Sequence, residues 1–357
     1  MAERLDPWSN AEVKDYEHLY KEFGIKTLGE RERLDHIYFR RGIAVAHRDF
    51  DLFAAALRAR KPVYCMTGIA SSGKMHIGHM SIVQFVKFFK EQGADVRFAV
   101  ADIDAYVSRE RIATMAEAKE YAVQNLAHVL ALGVPKGDVY VQSRMPARYY
   151  ELAFEISKKF TENMFRDIYG HLDPGKMSAV FLQIADILYP QLDGARHGVV
   201  PIALDQDPHI RAARDVAKRL PYGFVLPSSV YVRHVPALKG PGSKMSSSDA
   251  TSAIYLDDTP EEVEMKVKKY AFSGGAATVD EHRKHGGNPD VDVAFQLLKY
   301  FEKSDARVER VYEDYKSGAL LTGELKQATA ELLKAFFVKH HKRLSKARKA
   351  AERIMRG

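Results

Sequence analysis

At 357 residues, 46% of them hydrophobic and 28% charged, the chain has the composition of a soluble globular protein able to bury a large core in two or three units. No apolar run approaches the roughly 18 residues of a membrane span, and the lone cysteine, Cys65, excludes an internal disulfide or a multi-cysteine zinc site. The net charge of +7 is uneven: residues 334–357 hold nine Lys/Arg against Glu352, which leaves −1 for everything before them.

The mixed, acidic N-terminus reads as neither a signal nor a transit peptide, and a reducing, cytoplasmic setting is expected. The first 60 residues read as helix, turn, helix, an N-terminal helical extension. Residues 63–69, VYCMTGI, are a buried-strand pattern. Residues 96–107 read as a strand running into a loop, 115–133 as an amphipathic helix closing on Gly133, and 138–143 as a short strand. A helix is expected within 148–160 and an apolar strand at 198–204. Strands alternating with helices predict an α/β fold, a doubly wound parallel sheet of Rossmann-like type, over residues 61–255. After the Gly/Ser stretch at 241–249 the pattern turns helical, so residues 256–357 are expected to form an all-helical C-terminal domain. Its basic end suits an RNA phosphate backbone, or equally a solvated helix that keeps the chain soluble.

The most informative segment is 63–79, VYCMTGIASSGKMHIGH, where a strand enters a Gly/Ser-rich loop and a helix follows at once. In doubly wound sheets such a crossing presents free backbone N–H groups to nucleotide phosphates. Gly68, Gly73 and Gly78 allow close approach of a ligand, with Ser71 and Ser72 between them. Gly73-Lys74 is not followed by Ser/Thr, so this is no Walker A loop, and the dinucleotide spacing is also missing. His76 and His79 lie one helical turn apart and can donate to oxygens of a pentacovalent phosphorus. A metal pair would want a further ligand nearby. Far downstream, Lys244-Met245-Ser246-Ser247-Ser248 offers one ammonium and three hydroxyls on a Gly-flanked loop. That loop could fold over β- and γ-phosphates, or be a mere linker.

Together the two motifs are the signatures of class I aminoacyl-tRNA synthetases, and the chain resembles the tryptophanyl branch of archaea and eukaryotes. The resemblance covers nearly the whole length, including residues 6–8, 40–50, 203–217, 271–275, 282–295 and 315–326. It implies a two-step reaction: ATP activates L-tryptophan to the adenylate, and tRNA(Trp) accepts the acyl group. His76, His79 and Lys244 would be catalytic. Gly68, Ser71, Ser72, Gly73, Gly78, Met245, Ser246 and Ser247 would bind ATP, with Asp205 and Asp207 near the ribose. Mg²⁺ would enter with the nucleotide, with no dedicated protein cage for a metal. A homodimer bridged by tRNA is also implied, with no membrane partner.

For the amino acid, the resemblance places Asp104, Gln183 and Gln206 at the ammonium. Gln183 and Asp186, three apart on a predicted helix, share a face, and a buried Asp accepts from either an indole N–H or a phenol O–H. Met66 and Ala99 depart from the Tyr and Gln that many archaeal and eukaryotic relatives carry, which leaves Asp186 as the expected indole partner. Met66 also suits a flat apolar ring. The rival readings are a tyrosyl-tRNA synthetase, a same-fold adenylyltransferase without tRNA, and a non-catalytic RNA-binding paralogue. His47-Arg48-Asp49 echoes a kinase catalytic loop but lacks the rest of that signature.

Overall fold

The computed structural model describes residues 5–8, 16–170, 173–194, 196–245, 249 and 251–356. Strands β1 (Lys26–Thr27), β2 (Ala44–Arg48), β3 (Val63–Ala70), β4 (Asp95–Ala101), β5 (Val139–Val141), β6 (His197–Ile202) and β7 (Ser228–Val232) form one sheet. Their order is β1-β2-β7-β6-β3-β4-β5. The five strands from β7 to β5 are parallel, while β2 runs antiparallel to β7 and β1 to β2. The chain thus begins the parallel part at its centre on β3, moves outward to β5, and returns to the other flank for β6 and β7. This is the expected doubly wound topology, and its switch point lies between β3 and β6.

Strand periodicity sorts the side chains into two layers. Val63 and Cys65 of β3, with Val96, Phe98 and Val100 of β4, face one core. There they meet the helix Ile77–Glu91 through Met80, Val83, Phe85 and Phe89, together with Phe39, Phe50 and Phe53. Tyr64 and Met66 of β3 and Ala99 of β4 face the opposite way, onto helices Ala147–Ser157, Pro174–Leu188 and Asp207–Ala217. Because both faces are covered, β3 reads as a nearly unbroken apolar run.

Beyond Cys65 and Val199 the β3–β6 ladder ends, although both strands continue. Pro201 has no N–H to give, and the Thr67 hydroxyl donates to the Pro201 carbonyl instead, at 3.1 Å. The carboxyl ends of the two central strands therefore part, and a crevice opens.

Three local features differ from expectation. Residues 44–48, placed within a helical stretch, form β2. Their alternation is short and flanked by helices Ile37–Arg40 and Phe50–Arg58, which masks a five-residue strand. Residues 102–108 form a helix rather than a loop, with Asp102 and Asp104 in its first turn. Strand β7, SSVYV, opens on two serines and shows no apolar run, yet it is buried throughout.

The C-terminal part comprises helices Pro260–Tyr270, Val279–His285, Val293–Phe301, Asp305–Ser317 and Thr322–Arg356. The last, 35 residues long, packs on helix Met115–Ala131 of the sheet layer. Its buried residues Leu333, Phe337, His340, Leu344, Ala347 and Ala351 alternate by four and three, a coiled-coil-like seam. The apolar members of that seam join the same core as β3 and β4. At its middle His340 Nε2 lies 2.9 Å from His128 Nδ1. The basic segment is therefore a packed helix, with Lys342, Lys346, Lys349 and Arg353 forming an exposed stripe. Among the described residues no helix is long and apolar enough to cross a membrane.

Phe337→Ala should cost about 3–5 kcal/mol, because a fully buried ring leaves a cavity in this seam. Lys346→Gln, on the exposed stripe, should stay within about 0.5 kcal/mol. Denaturant midpoints of the two variants test the packing.

Candidate active site

A cavity of about 380 Å³ fills the crevice, lined by residues from the carboxyl ends of β3, β4, β6 and β7 and from the segments that follow them. It collects most of the residues singled out above: Met66, Gly68, Ser72, Gly73, His76, Gly78, His79, Asp104, Gln183, Asp186, Asp205, Gln206, Lys244 and Met245. The imidazole pair and the lysine 165 positions beyond it thus share one chamber.

Their approach has a backbone cause. Strands β8 (Pro236–Ala237) and β9 (Gly240–Lys244) form an antiparallel hairpin that delivers Lys244. Further along, residues 254–256 pair with 75–77: Ile77 N–H donates to Ile254 O at 3.0 Å, and Leu256 N–H to Met75 O at 2.9 Å. The chain leaving the lysine loop is thereby fastened to the turn that carries His76.

His76 caps the helix Ile77–Glu91, its Nδ1 accepting from Gly78 N–H at 3.1 Å. His79 Nδ1 accepts from His76 N–H at 3.2 Å. With both Nδ1 atoms engaged as acceptors, each neutral ring carries its proton on Nε2 and offers it as a donor. The rings stack with centroids 3.9 Å apart. A Cβ on Gly78 would lie 2.9 Å from the His76 ring, so only glycine fits there. Burial, then Lys244, pushes His79 down to about 4. Burial pushes His76 well below its ordinary value, with His79, His234 and Lys244 adding to the effect. Both rings are neutral at pH 7.

Lys244 Nζ pairs with Asp205 Oδ2 at 2.7 Å, and His234 Nε2 lies 3.4 Å from Asp205 Oδ1. Burial alone would raise the Asp205 carboxyl, but His234 and Lys244 hold it well below the usual carboxylate range.

At the other end of the cavity the lining turns apolar around Met66, Phe98, Ala99, Ile187 and Val200. Asp186, 3% exposed, is the acidic group there. Its Oδ1 accepts from Tyr140 and Tyr149 hydroxyls, both at 2.7 Å, and its Oδ2 from Gln142 Nε2 at 2.8 Å. Burial pushes this carboxyl up to about 7, against the pull of Tyr149, Tyr140 and Gln142. Between the two ends, Gln183 Nε2 donates to Asp104 Oδ2 at 2.5 Å, and Gln206 Nε2 to the Pro7 carbonyl at 3.1 Å.

Two expected site residues lie elsewhere. Ser71 is fully buried, and its side chain is not part of the cavity wall. Asp207, also fully buried, pairs with Arg48 at 2.9 Å and Arg211 at 3.1 Å and accepts from Tyr231, and it does not line the cavity. Gly68 borders the cavity but has a second constraint, since a Cβ would sit 2.8 Å from Ala99. Ser246 and Ser247 fall outside the described residues. Sequence reasoning missed Trp8, Arg109, Arg111, His209 and His234, all on the cavity wall, and the Tyr140, Gln142 and Tyr149 shell behind Asp186. Of the wall residues, Trp8 and His209 stood within segments noted for the resemblance, residues 6–8 and 203–217; Tyr140, Gln142 and Tyr149 stood in the expected strand and helix with no role assigned.

The model of the class I tRNA synthetases for tryptophan and tyrosine matches residues 58–338. The chain is 39% identical to the tryptophan–tRNA ligase of Aeropyrum pernix over 99% of its own length and 98% of that protein. It is 35% identical to the human cytoplasmic tryptophan–tRNA ligase over 95% of its own length and 77% of that protein. Among solved structures, the tryptophanyl-tRNA synthetase of Aeropyrum pernix superposes with a TM-score of 0.88 at 37% identity, covering 98% of both chains. That of Encephalitozoon cuniculi bound to tryptophan gives 0.84 at 29% identity, over 96% and 98%. A doubly wound sheet, paired imidazoles and a lysine loop in one crevice, and likeness along the full length agree: the chain belongs to the class I tRNA synthetases, in the archaeal and eukaryotic tryptophan–tRNA ligase group.

Proposed function

We propose that the chain activates L-tryptophan with ATP and transfers it to tRNA(Trp). The observation that carries this is the shared cavity, with neutral Nε2–H donors and an ammonium at one end and a buried carboxylate among apolar side chains at the other. ATP would lie along the His76–His79 end, with Gly68, Ser72, Gly73, Gly78 and Met245 against it. The tryptophan carboxylate attacks the α-phosphorus in line, and pyrophosphate leaves. Neutral imidazoles can donate to the equatorial oxygens, and Lys244 can follow charge onto the leaving pyrophosphate. Mg²⁺ would arrive with the triphosphate as part of that substrate. No side chain need form a covalent bond, and positioning supplies the acceleration.

The indole ring would lie against Met66 and Ala99, with its N–H on Asp186. Asp104, with Gln183 and Gln206, would take the ammonium through charge-assisted hydrogen bonds. Gln206 would first have to leave Pro7. Met66, an apolar side chain on this wall, supports tryptophan over tyrosine, since a thioether suits the flat face of an indole and gives a phenol oxygen no hydrogen bond of its own.

The helical region 256–357 would read the anticodon, with residues 286–295 as the candidate segment. The stripe Lys342, Lys346, Lys349 and Arg353 would meet tRNA phosphates. A homodimer bridged by tRNA and a cytoplasmic location complete the proposal, and both rest on the family likeness.

Purified protein should exchange labelled pyrophosphate into ATP with tryptophan and not with tyrosine; the opposite preference would overturn the substrate assignment. Asp186→Ala should raise the tryptophan KM by at least about tenfold while the ATP KM holds, since a buried donor loses its partner. Replacing the four stripe cations by Gln should leave pyrophosphate exchange intact. It should weaken tRNA charging and flatten the log–log salt dependence by up to about 0.9 per charge removed. Unaltered charging would assign the stripe to solubility.

A further inference from the structure

Behind Asp186 stand three polar side chains that bond to it but do not themselves line the cavity. Tyr140 lies on β5, Gln142 opens the short 3-10 turn Gln142–Arg144 after it, and Tyr149 lies on helix Ala147–Ser157. Gln142 and Tyr149 are fully buried. An ionised carboxylate has about four acceptor positions. Two of them, on Oδ1, take the Tyr140 and Tyr149 hydroxyls, and one on Oδ2 takes the Gln142 amide. One position on Oδ2 remains, and Asp186 borders the cavity.

Gln142 has a second task. While its Nε2 donates to Asp186, its Oε1 accepts from Asp104 N–H at 3.0 Å. Its own carbonyl accepts from Tyr150 at 2.6 Å. One side chain thus spans the residue set at the ammonium end and the residue set at the ring end. The Gln142 amide ties the Asp104 backbone to the Asp186 carboxylate, alongside the link that Gln183 makes to the Asp104 carboxylate.

We propose that Tyr140, Gln142 and Tyr149 are positioning residues for amino-acid recognition: they orient the Asp186 carboxylate so that a single acceptor faces the cavity, and Gln142 sets its distance from Asp104. A ligand that matches this is a flat aromatic amino acid with one ring N–H and no ring acceptor. The inference rests on the reading of Asp186 as the ring partner given above. Three donors also do what burial alone would prevent, since they favour the ionised form in an apolar surrounding. The other groups acting on this carboxylate are Asp104, which opposes ionisation, and Tyr150; Arg97 acts on Tyr140. Removing a donor therefore makes the carboxylate harder to ionise, and recognition should fail at low pH before it fails at high pH.

The test is pyrophosphate exchange with tryptophan across pH 5.5–9 on the full chain and on Tyr140→Phe, Tyr149→Phe and Gln142→Leu. In the unsubstituted protein the tryptophan KM should rise as pH falls below about 7, where Asp186 takes up a proton. Each Tyr→Phe variant keeps ring volume, so folding should hold, as a thermal melt would verify. Its acid limb should move to higher pH, with the tryptophan KM at pH 7 raised about tenfold, the ATP KM unmoved, and recognition largely regained at pH 9. Gln142→Leu should raise the tryptophan KM at every pH, because the link to Asp104 is lost as well. A tryptophan KM and acid limb unchanged in all three variants would overturn the positioning role. An equal rise at every pH in the Tyr→Phe variants, with no recovery at pH 9, would also overturn it, by reducing the shell to packing. Failure of the unsubstituted protein to respond to tryptophan would instead overturn the reading of the function itself.

Discussion

Beyond Cys65 and Val199 the two central strands leave the backbone ladder, and the site is arranged around the carboxyl ends where they do so. A parallel ladder carried to the strand ends would bring the loops after β3 and β6 together and close the chamber. Pro201 removes one donor, and Thr67 occupies the acceptor that is left. The parting costs little hydrogen bonding, yet it leaves room for a nucleotide at one end and an aromatic side chain at the other. The Gly/Ser loop, the Asp205 turn and His234 then converge because each follows a strand that ends on the same edge.

The two ends of the chamber manage burial in opposite ways. At the phosphate end, imidazoles are kept neutral by desolvation and by the nearby ammonium, and the backbone dictates which nitrogen holds the proton. At the apolar end, a carboxylate is kept available by three donors that lean against its desolvation. Neither set of groups would have these properties in water. The carboxylate depends on side chains that do not line the cavity, which is why the shell is as much a part of the site as its wall.

How much of this could be read from residues alone follows from how local each signal is. The strand–loop–helix crossing at 63–91 was legible, because a buried strand, a Gly/Ser loop and a helix start lie within thirty residues. The parallel order followed from alternation. Strand β2 was not legible: its partner β7 lies more than 180 positions away, and neither carries a long apolar run. Asp207 was placed near the ribose by the family resemblance alone. Two residues after Asp205, at the start of a helix, its side chain meets Arg48, Arg211 and Tyr231. Tyr140 and Tyr149 read as ordinary aromatic residues on a strand and a helix. Only the packing of those elements on helix Pro174–Leu188 brings their hydroxyls to one carboxylate.

The Lys244–Asp205 pair has a further meaning for how the chamber is entered. With Lys244 already paired to Asp205, an incoming triphosphate would have to share the ammonium with that carboxylate or draw it away. The resting loop is thus self-neutralised, with its charge hidden from anions that lack the length or density to compete. A nucleotide monophosphate would leave the interlock in place, whereas a chain of three phosphates reaching the lysine would release it. Until a longer phosphate chain competes for it, the charge of Lys244 stays masked by a carboxylate from the segment after β6.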